Sequence, residues 1–221
     1  MDSGYFKRQI ELWGEDKQRL LEDKSILIVG AGGLGSSLGF ALGGSGIGHI
    51  TIVDFDKVSK HNIHRQIAFD LASQGEFKVD VLAKKIVARY DGVKVNTINS
   101  SFKEAIDSLG SFDLILDATD NFQTRGEIDR YAKSKNTPWI YCSVEEFMAQ
   151  ICFFEKSSFS SFATKNHTPK GIAAPIVMLA ASLEANLALR FLAGEKIQKD
   201  RFHYIYFDKN GSLELKKFNF Q

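Results

Sequence analysis

Residues 25 to 37, SILIVGAGGLGSS, pass from the apolar run Ile26 to Val29 straight into glycines, and the small-residue stretch LGFALGGSGIG comes next. Gly30, Gly32 and Gly35 stand at the spacing G-x-G-x-x-G, with Gly33 between them. Glycines at those places, between a strand and a helix, let backbone approach a phosphate held at the helix N-terminus. About twenty residues further on, Asp54 closes a second β-branched run within HITIVDFD, where a carboxylate can accept both hydroxyls of a ribose. To this point the pattern suits a nicotinamide-dependent dehydrogenase as well as any other nucleotide-binding protein.

The residues after the second strand suit a dinucleotide less well. Asn62, Arg65, Gln66 and Lys78 come directly after that strand and should project above the same sheet edge as the glycines. Two fixed cations fit a triphosphate better than a pyrophosphate, which a glycine loop and a helix dipole hold largely unaided. DATDN, residues 117 to 121, brings Asp117 and Asp120 to the end of another buried strand. A carboxylate there can hold Mg2+, which takes few protein oxygens and completes its shell with phosphate oxygens or water. Together these residues describe a site for ATP and magnesium. Plain alternatives stand beside each of them. Arg65 and Lys78 can be solvated charges, Asp120 and Asn121 can cap the helix that opens at Phe122, and His61 and His64 read as loop histidines because no further ligand completes a metal set. The combination decides for the nucleotide.

Strands must alternate with helices to place these groups on one edge. SILIV, HITIV, VKVNTI, FDLILD and PWIYCSV read as strands; FKVDVLAKKIVARY, with Val79, Leu82, Ile86 and Tyr90 on one face, FKEAIDSL and NFQTRGEIDRYAKSKN read as helices. The expected fold is α/β, a doubly wound, mostly parallel Rossmann-like sheet with helices on both faces and a C-terminal antiparallel extension. MAQICFFE adds a strand, residues 172–194 form a long helix closed by Gly194, and Asn210-Gly211 turns a final hairpin. One domain covers 1–221: an N-terminal helical segment 1–24, a nucleotide-binding core 25–145, and 146–221 with a crossover loop, the long helix and the hairpin.

Composition narrows the classes. With 28 Lys and Arg against 27 Asp and Glu, no bulk charge argues for nucleic acid or an anionic membrane. Cys142 and Cys152 are the two cysteines, never in a C-x-x-C pair, which points away from a disulfide framework. No basic segment leads into an apolar one at the start, so a cytoplasmic protein is expected. Glu184, Asn186 and Arg190 mark the apolar tract 172–194 as a buried helix rather than a membrane span.

RQIELWG, GAGGLGSS, VDFDKVSKHNIHRQ, the lysine thirteen residues after that arginine, DATDNFQTR and GIAAPIVMLAASLEANLALRFLAG occur in the order seen in the E1-like adenylyltransferases, and the chain resembles that family (ThiF, MoeB, HesA) from about residue 5 to 208. The resemblance implies ATP-dependent adenylation of a carboxylate, usually the C-terminal glycine of a small ubiquitin-fold sulfur carrier ending in Gly-Gly. It also implies Gly33 against the phosphates, Asp54 on the ribose, Asp56 and Asn62 lining the site, Arg65 and Lys78 on the β- and γ-phosphates, and Asp120 on magnesium. Arg8 matches the arginine that reaches into the partner subunit's site in a homodimer.

The chain departs from the family in two places. The two C-x-x-C pairs that hold zinc in most bacterial members have no counterpart, so no zinc is expected. The crossover-loop cysteine is missing too; the nearest residue is His167, which puts a covalent thioester or persulfide step in doubt. Cys142 falls in a buried strand and reads as core. A ThiS-like carrier of the thiamine pathway is the leading substrate, because the chain is short and has no appended sulfurtransferase domain. A MoaD-like carrier and a small-molecule, peptide or tRNA-linked carboxylate are alternatives within the class, and a non-catalytic nucleotide-binding scaffold is the alternative outside it.

Overall fold

A computed structural model describes residues 1–161 and 171–220. Eight strands form one sheet in the order β3-β2-β1-β4-β5-β6-β7-β8. β1 (Ser25–Val29), β2 (His49–Val53), β3 (Lys94–Ile98), β4 (Leu114–Asp117) and β5 (Trp139–Glu145) pair in parallel. β6 (Met148–Phe154), β7 (Arg201–Phe207) and β8 (Leu213–Asn219) add on antiparallel.

Strand residues alternate between two cores, as the period of two requires. Ile26, Ile28, Ile50 and Ile52 face α3 (Gly33–Gly43), α4 (Lys78–Arg89) and α7 (Ala174–Leu192). Leu27, Val29, Val53 and Ile115 face α5 (Phe102–Ala105) and α6 (Phe122–Ser134). Both faces are covered, which is why the central strands read as continuous apolar runs. The helix expected over FKEAIDSL is shorter: α5 has a Ser101–Glu104 capping box and passes into a 3-10 turn at Ile106–Ser108 before Gly110. The long helix keeps its expected end, with Gly194 at φ +75° just past its C-cap. Although α7 is long and apolar enough to cross a membrane by length alone, it buries its inner face on β5, β6 and α3.

From β1 the chain winds outward to β2 and β3, then returns to β4 on the other side. That reversal opens a crevice above the carboxyl ends of β1 and β4, where α/β sheets bind ligands. Gly30 and Ala118 meet there. Gly30 has φ +100°, and a Cβ on it would lie 2.5 Å from the Ala118 carbonyl oxygen, so conformation and space both demand glycine.

α1 (Lys7–Trp13) and α2 (Glu15–Glu22) sit at the opposite edge. The Gln9 and Gln18 amides each donate to the Ser45 carbonyl at 3.0 Å, just past the far end of α3, and Phe6 is buried against Tyr90. The segment leading into the crossover is pinned twice. Asp200 accepts the backbone N–H groups of Glu155, Lys156 and Ser157, and the Ser158 hydroxyl donates to Asp129 at 2.8 Å. Beyond it, Gly171 and Ala173 bond the backbone of Glu146. Of the loop expected over 156–171, residues 162–170, His167 among them, lie outside the described residues.

Candidate functional site

The glycine turn leads into α3, whose N-cap is Gly32 and which has no side-chain cap. Its first-turn N–H groups therefore point into the crevice as uncompensated donors. Asp54 braces this turn. One carboxylate oxygen accepts the Ala31 N–H at 2.6 Å and the other the Asp56 N–H at 2.7 Å. Each oxygen has a second lone pair, so the ribose assignment stays open geometrically. Burial pushes the Asp54 carboxyl up, and the two amides oppose it.

Gly33 is also required by packing. A Cβ there would lie 2.7 Å from Val177 Cγ1 and 3.2 Å from the Arg65 carbonyl oxygen. The absent side chain thus makes room for α7 and the segment after β2 to close on the loop. Gln66 is buried behind Gly32, its Nε2 3.5 Å from where a Cβ of Gly32 would stand, and its Oε1 has no hydrogen-bond partner. Gly35 packs over the Gly30 carbonyl at the base of the turn.

Arg65 carries a charge that no carboxylate compensates among the described residues. Its Nη2 donates to Asn62 Oδ1 at 3.1 Å, and Nη1 donates to His64 Nε2 at 3.0 Å and to the His61 carbonyl at 3.4 Å. All three acceptors are neutral. Lys78 is not the solvated charge of the plain reading: its side chain is 4% exposed and its Nζ lies 2.6 Å from Asp56 Oδ2, so the two form one ion pair.

The two aspartates of DATDN divide. Asp117 is fully buried; its Oδ2 accepts Arg125 Nε at 2.9 Å, and its Oδ1 accepts the Thr119 N–H at 2.9 Å and hydroxyl at 2.6 Å. Arg125 also donates to the Thr119 carbonyl at 2.7 Å and lies over the Tyr141 ring. Burial lifts the Asp117 carboxyl, and Arg125 and the Thr119 donors oppose that shift. Asp120 alone remains exposed at the strand end. Asn121, a candidate nucleotide-binding residue that the sequence also offers as a helix cap, does cap α6, its Oδ1 accepting the Thr124 N–H at 2.9 Å. Among the described residues no group of three or more His, Cys, Asp and Glu is placed to hold a metal. Asp120, exposed and accepting a long bond from Asn121 Nδ2 at 3.4 Å, fits magnesium held mainly by phosphates.

The sequence assigns Arg125 no role; its one signal is an arginine eight residues after an aspartate that ends an otherwise apolar strand. Glu184 is a second special group that the sequence leaves unmarked beyond its polarity. It is fully buried beside the Cys142 thiol, with no hydrogen-bond partner of good geometry for either oxygen. Cys142 and Cys152 are both buried, as a core reading of Cys142 expects, and burial raises both thiols. Arg8 does not join the site of its own chain. Its side chain is 90% exposed and pairs with Glu11 at 2.7 Å, while its neighbour Gln9 is anchored at the Ser45 carbonyl, past the C-terminal end of α3 from the glycine turn.

A parallel sheet reversing between β1 and β4, a glycine-opened helix without a cap, and a carboxylate closing the second strand define a Rossmann-like nucleotide-binding domain. The chain belongs to the ThiF family, which it matches over residues 6–219. It is 30% identical over 209 residues to the adenylyltransferase and sulfurtransferase MOCS3 of Caenorhabditis briggsae, covering 87% of this chain and 52% of that protein. It is 29% identical over 191 residues to the sulfur carrier protein ThiS adenylyltransferase of Escherichia coli, covering 81% and 76%. A molybdopterin-synthase adenylyltransferase of the same organism is 29% identical over 203 residues, covering 86% and 82%. The chain thus spans about half the length of the MOCS3 protein it matches. Crystal structures of E. coli MccB superpose with a TM-score of 0.87 at 19% identity, covering 98% of this chain and 71% of that one, which bears on the fold.

Proposed function

We propose that this chain is an adenylyltransferase that activates a carboxylate as an acyl-adenylate and releases pyrophosphate. The observation that carries the reading is Arg65, a cation held by neutral acceptors, whose backbone carbonyl packs against Gly33 in the uncapped first turn of α3. A carboxylate is already a nucleophile at neutral pH, so attack on the α-phosphorus needs no general base. Charge is the obstacle, because an anion approaches a polyanion and pyrophosphate departs. Arg65 and the α3 amides are aimed at that charge. Lys78 adds to it by exchanging Asp56 for phosphate. Magnesium, when bound at Asp120, neutralises phosphate oxygens.

The substrate we favour is the C-terminal glycine of a ThiS-like sulfur carrier, supported by the likeness to the E. coli ThiS adenylyltransferase. We place the enzyme in the cytoplasm as a homodimer in which Arg8 crosses to the partner's site. Supporting the crossing, Arg8 and exposed Leu12 share the outward face of α1, four residues apart, away from their own nucleotide crevice.

ATP–pyrophosphate exchange, run with magnesium and each small Gly-Gly-ending protein of the host, tests the reading. Exchange with a ThiS-like protein is expected, and Arg65→Gln or Asp120→Asn should each raise the barrier by about 2 to 4 kcal/mol. Undiminished exchange in Arg65→Gln would remove Arg65 from the mechanism. Exchange with a different carrier or a free peptide reassigns the substrate, and none with any carboxylate leaves a nucleotide-binding scaffold.

A further inference from the structure

We infer that His64 is a further nucleotide-binding residue, which positions Arg65 while neutral and presents a second positive charge to the phosphates once protonated. The inference rests on the ATP reading of this site and adds to it a group that the reading does not use.

His64 is exposed, and among the described residues its hydrogen-bond partner is Arg65, with 3.0 Å between His64 Nε2 and Arg65 Nη1. A guanidinium can only donate, so Nε2 must be the acceptor, and the imidazole is neutral with its proton on Nδ1. Asn62 Oδ1 holds the other terminal nitrogen of Arg65 at 3.1 Å. The guanidinium is therefore clamped in plane by two side chains, neither of which cancels its charge. That arrangement is stiff enough to preorganise an anion site, yet it leaves the cation free to bind the anion.

The charged and titratable groups around His64 favour the same conclusion. On its own segment stand Arg65, Lys60 and His61, the last tied to the Ser59 hydroxyl at 2.9 Å. At the edge of the crevice Lys78 is already matched by Asp56, and α7 presents apolar Val177 where it closes on Gly33 beneath the Arg65 carbonyl. No carboxylate pairs with His64 or Arg65 among the described residues. Protonation of His64 turns Nε2 from acceptor to donor and sets two cations side by side. In an empty site they repel; a polyphosphate between them relieves the repulsion and accepts both N–H groups. Proton and nucleotide binding thus reinforce one another, and each must raise affinity for the other by the same factor.

The test is calorimetric binding of a non-hydrolysable ATP analogue with magnesium at pH 6 and pH 8, for the wild-type chain, His64→Gln and His64→Ala. Glutamine keeps an acceptor for Arg65 and cannot gain a proton. At pH 8, His64→Gln should bind within about twofold of wild type and His64→Ala more weakly. At pH 6 the wild type should bind about tenfold tighter than His64→Gln. The titration of the nucleotide's own phosphates is common to all three proteins and cancels in these ratios. Identical ratios of wild type to His64→Gln at the two pH values overturn the charge role, and a His64→Ala affinity equal to wild type at pH 8 overturns the positioning role. Absence of any nucleotide binding by the wild type overturns the ATP reading itself, which keeps the two failures apart.

Discussion

Glu184 places a carboxyl group with no well-formed hydrogen bond on the inner face of α7, among alanine, valine and isoleucine. Burial holds its pKa well above the ordinary 4.5, with Asp117 adding to the shift. The folded chain therefore keeps a proton that the unfolded chain has released. Stability from this group is fully present below pH 4.5 and falls as pH rises toward the folded pKa, by up to about 1.4 kcal/mol per pH unit. Glu184→Gln, close in shape and uncharged, should raise the melting temperature, and by more at pH 8 than at pH 5. An equal gain at both would show that Glu184 is not held protonated. At this scale the sequence was legible where a residue type had one plausible conformational duty, as with Gly30 at the turn after β1. It was not legible for Lys78 and Asp117, because their partners Asp56 and Arg125 meet them only through packing, whereas the Asn121 cap was.

The crossover segment shows how an element is tethered. Asp200, in the left-handed region at φ +51°, gathers three successive N–H groups of residues 155–157, at 2.9 to 3.1 Å for its Oδ1. Those amides hold its carboxyl below the usual range against the effect of burial. Asp200→Ala should speed hydrogen exchange at 155–158 markedly while costing the whole fold only about 1 kcal/mol. Unchanged exchange there would mean that the Ser158–Asp129 bond alone holds the segment. Strands and helices themselves were readable, since periods of two and of three to four survive in the sequence. The shortening of α5 was not, because a helix this short depends on its cap and on tertiary packing.

At the scale of the molecule, an N-terminal segment lies on one edge of the sheet and the nucleotide crevice on the other. In a homodimer with crossed arginines, mixing inactive Arg8→Ala and Arg65→Gln chains should restore about a quarter of the wild-type sites, since half the dimers are mixed and each has one intact site. Pyrophosphate exchange after subunit mixing reads this out. No recovery on mixing, or full activity of Arg8→Ala alone, removes the crossed arrangement.

The order of apolar runs, glycines and acids in the sequence was enough by itself to determine a doubly wound sheet with a glycine turn opening a helix, because local backbone preference and burial pattern act within a few residues. Only the tertiary structure decided which charges are spent and which remain. Asp117 and Lys78 are neutralised by groups 8 and 22 residues away in the chain, while Arg65 keeps its charge between neutral acceptors. Charge compensation depends on distances of about 3 Å between segments that only folding brings together.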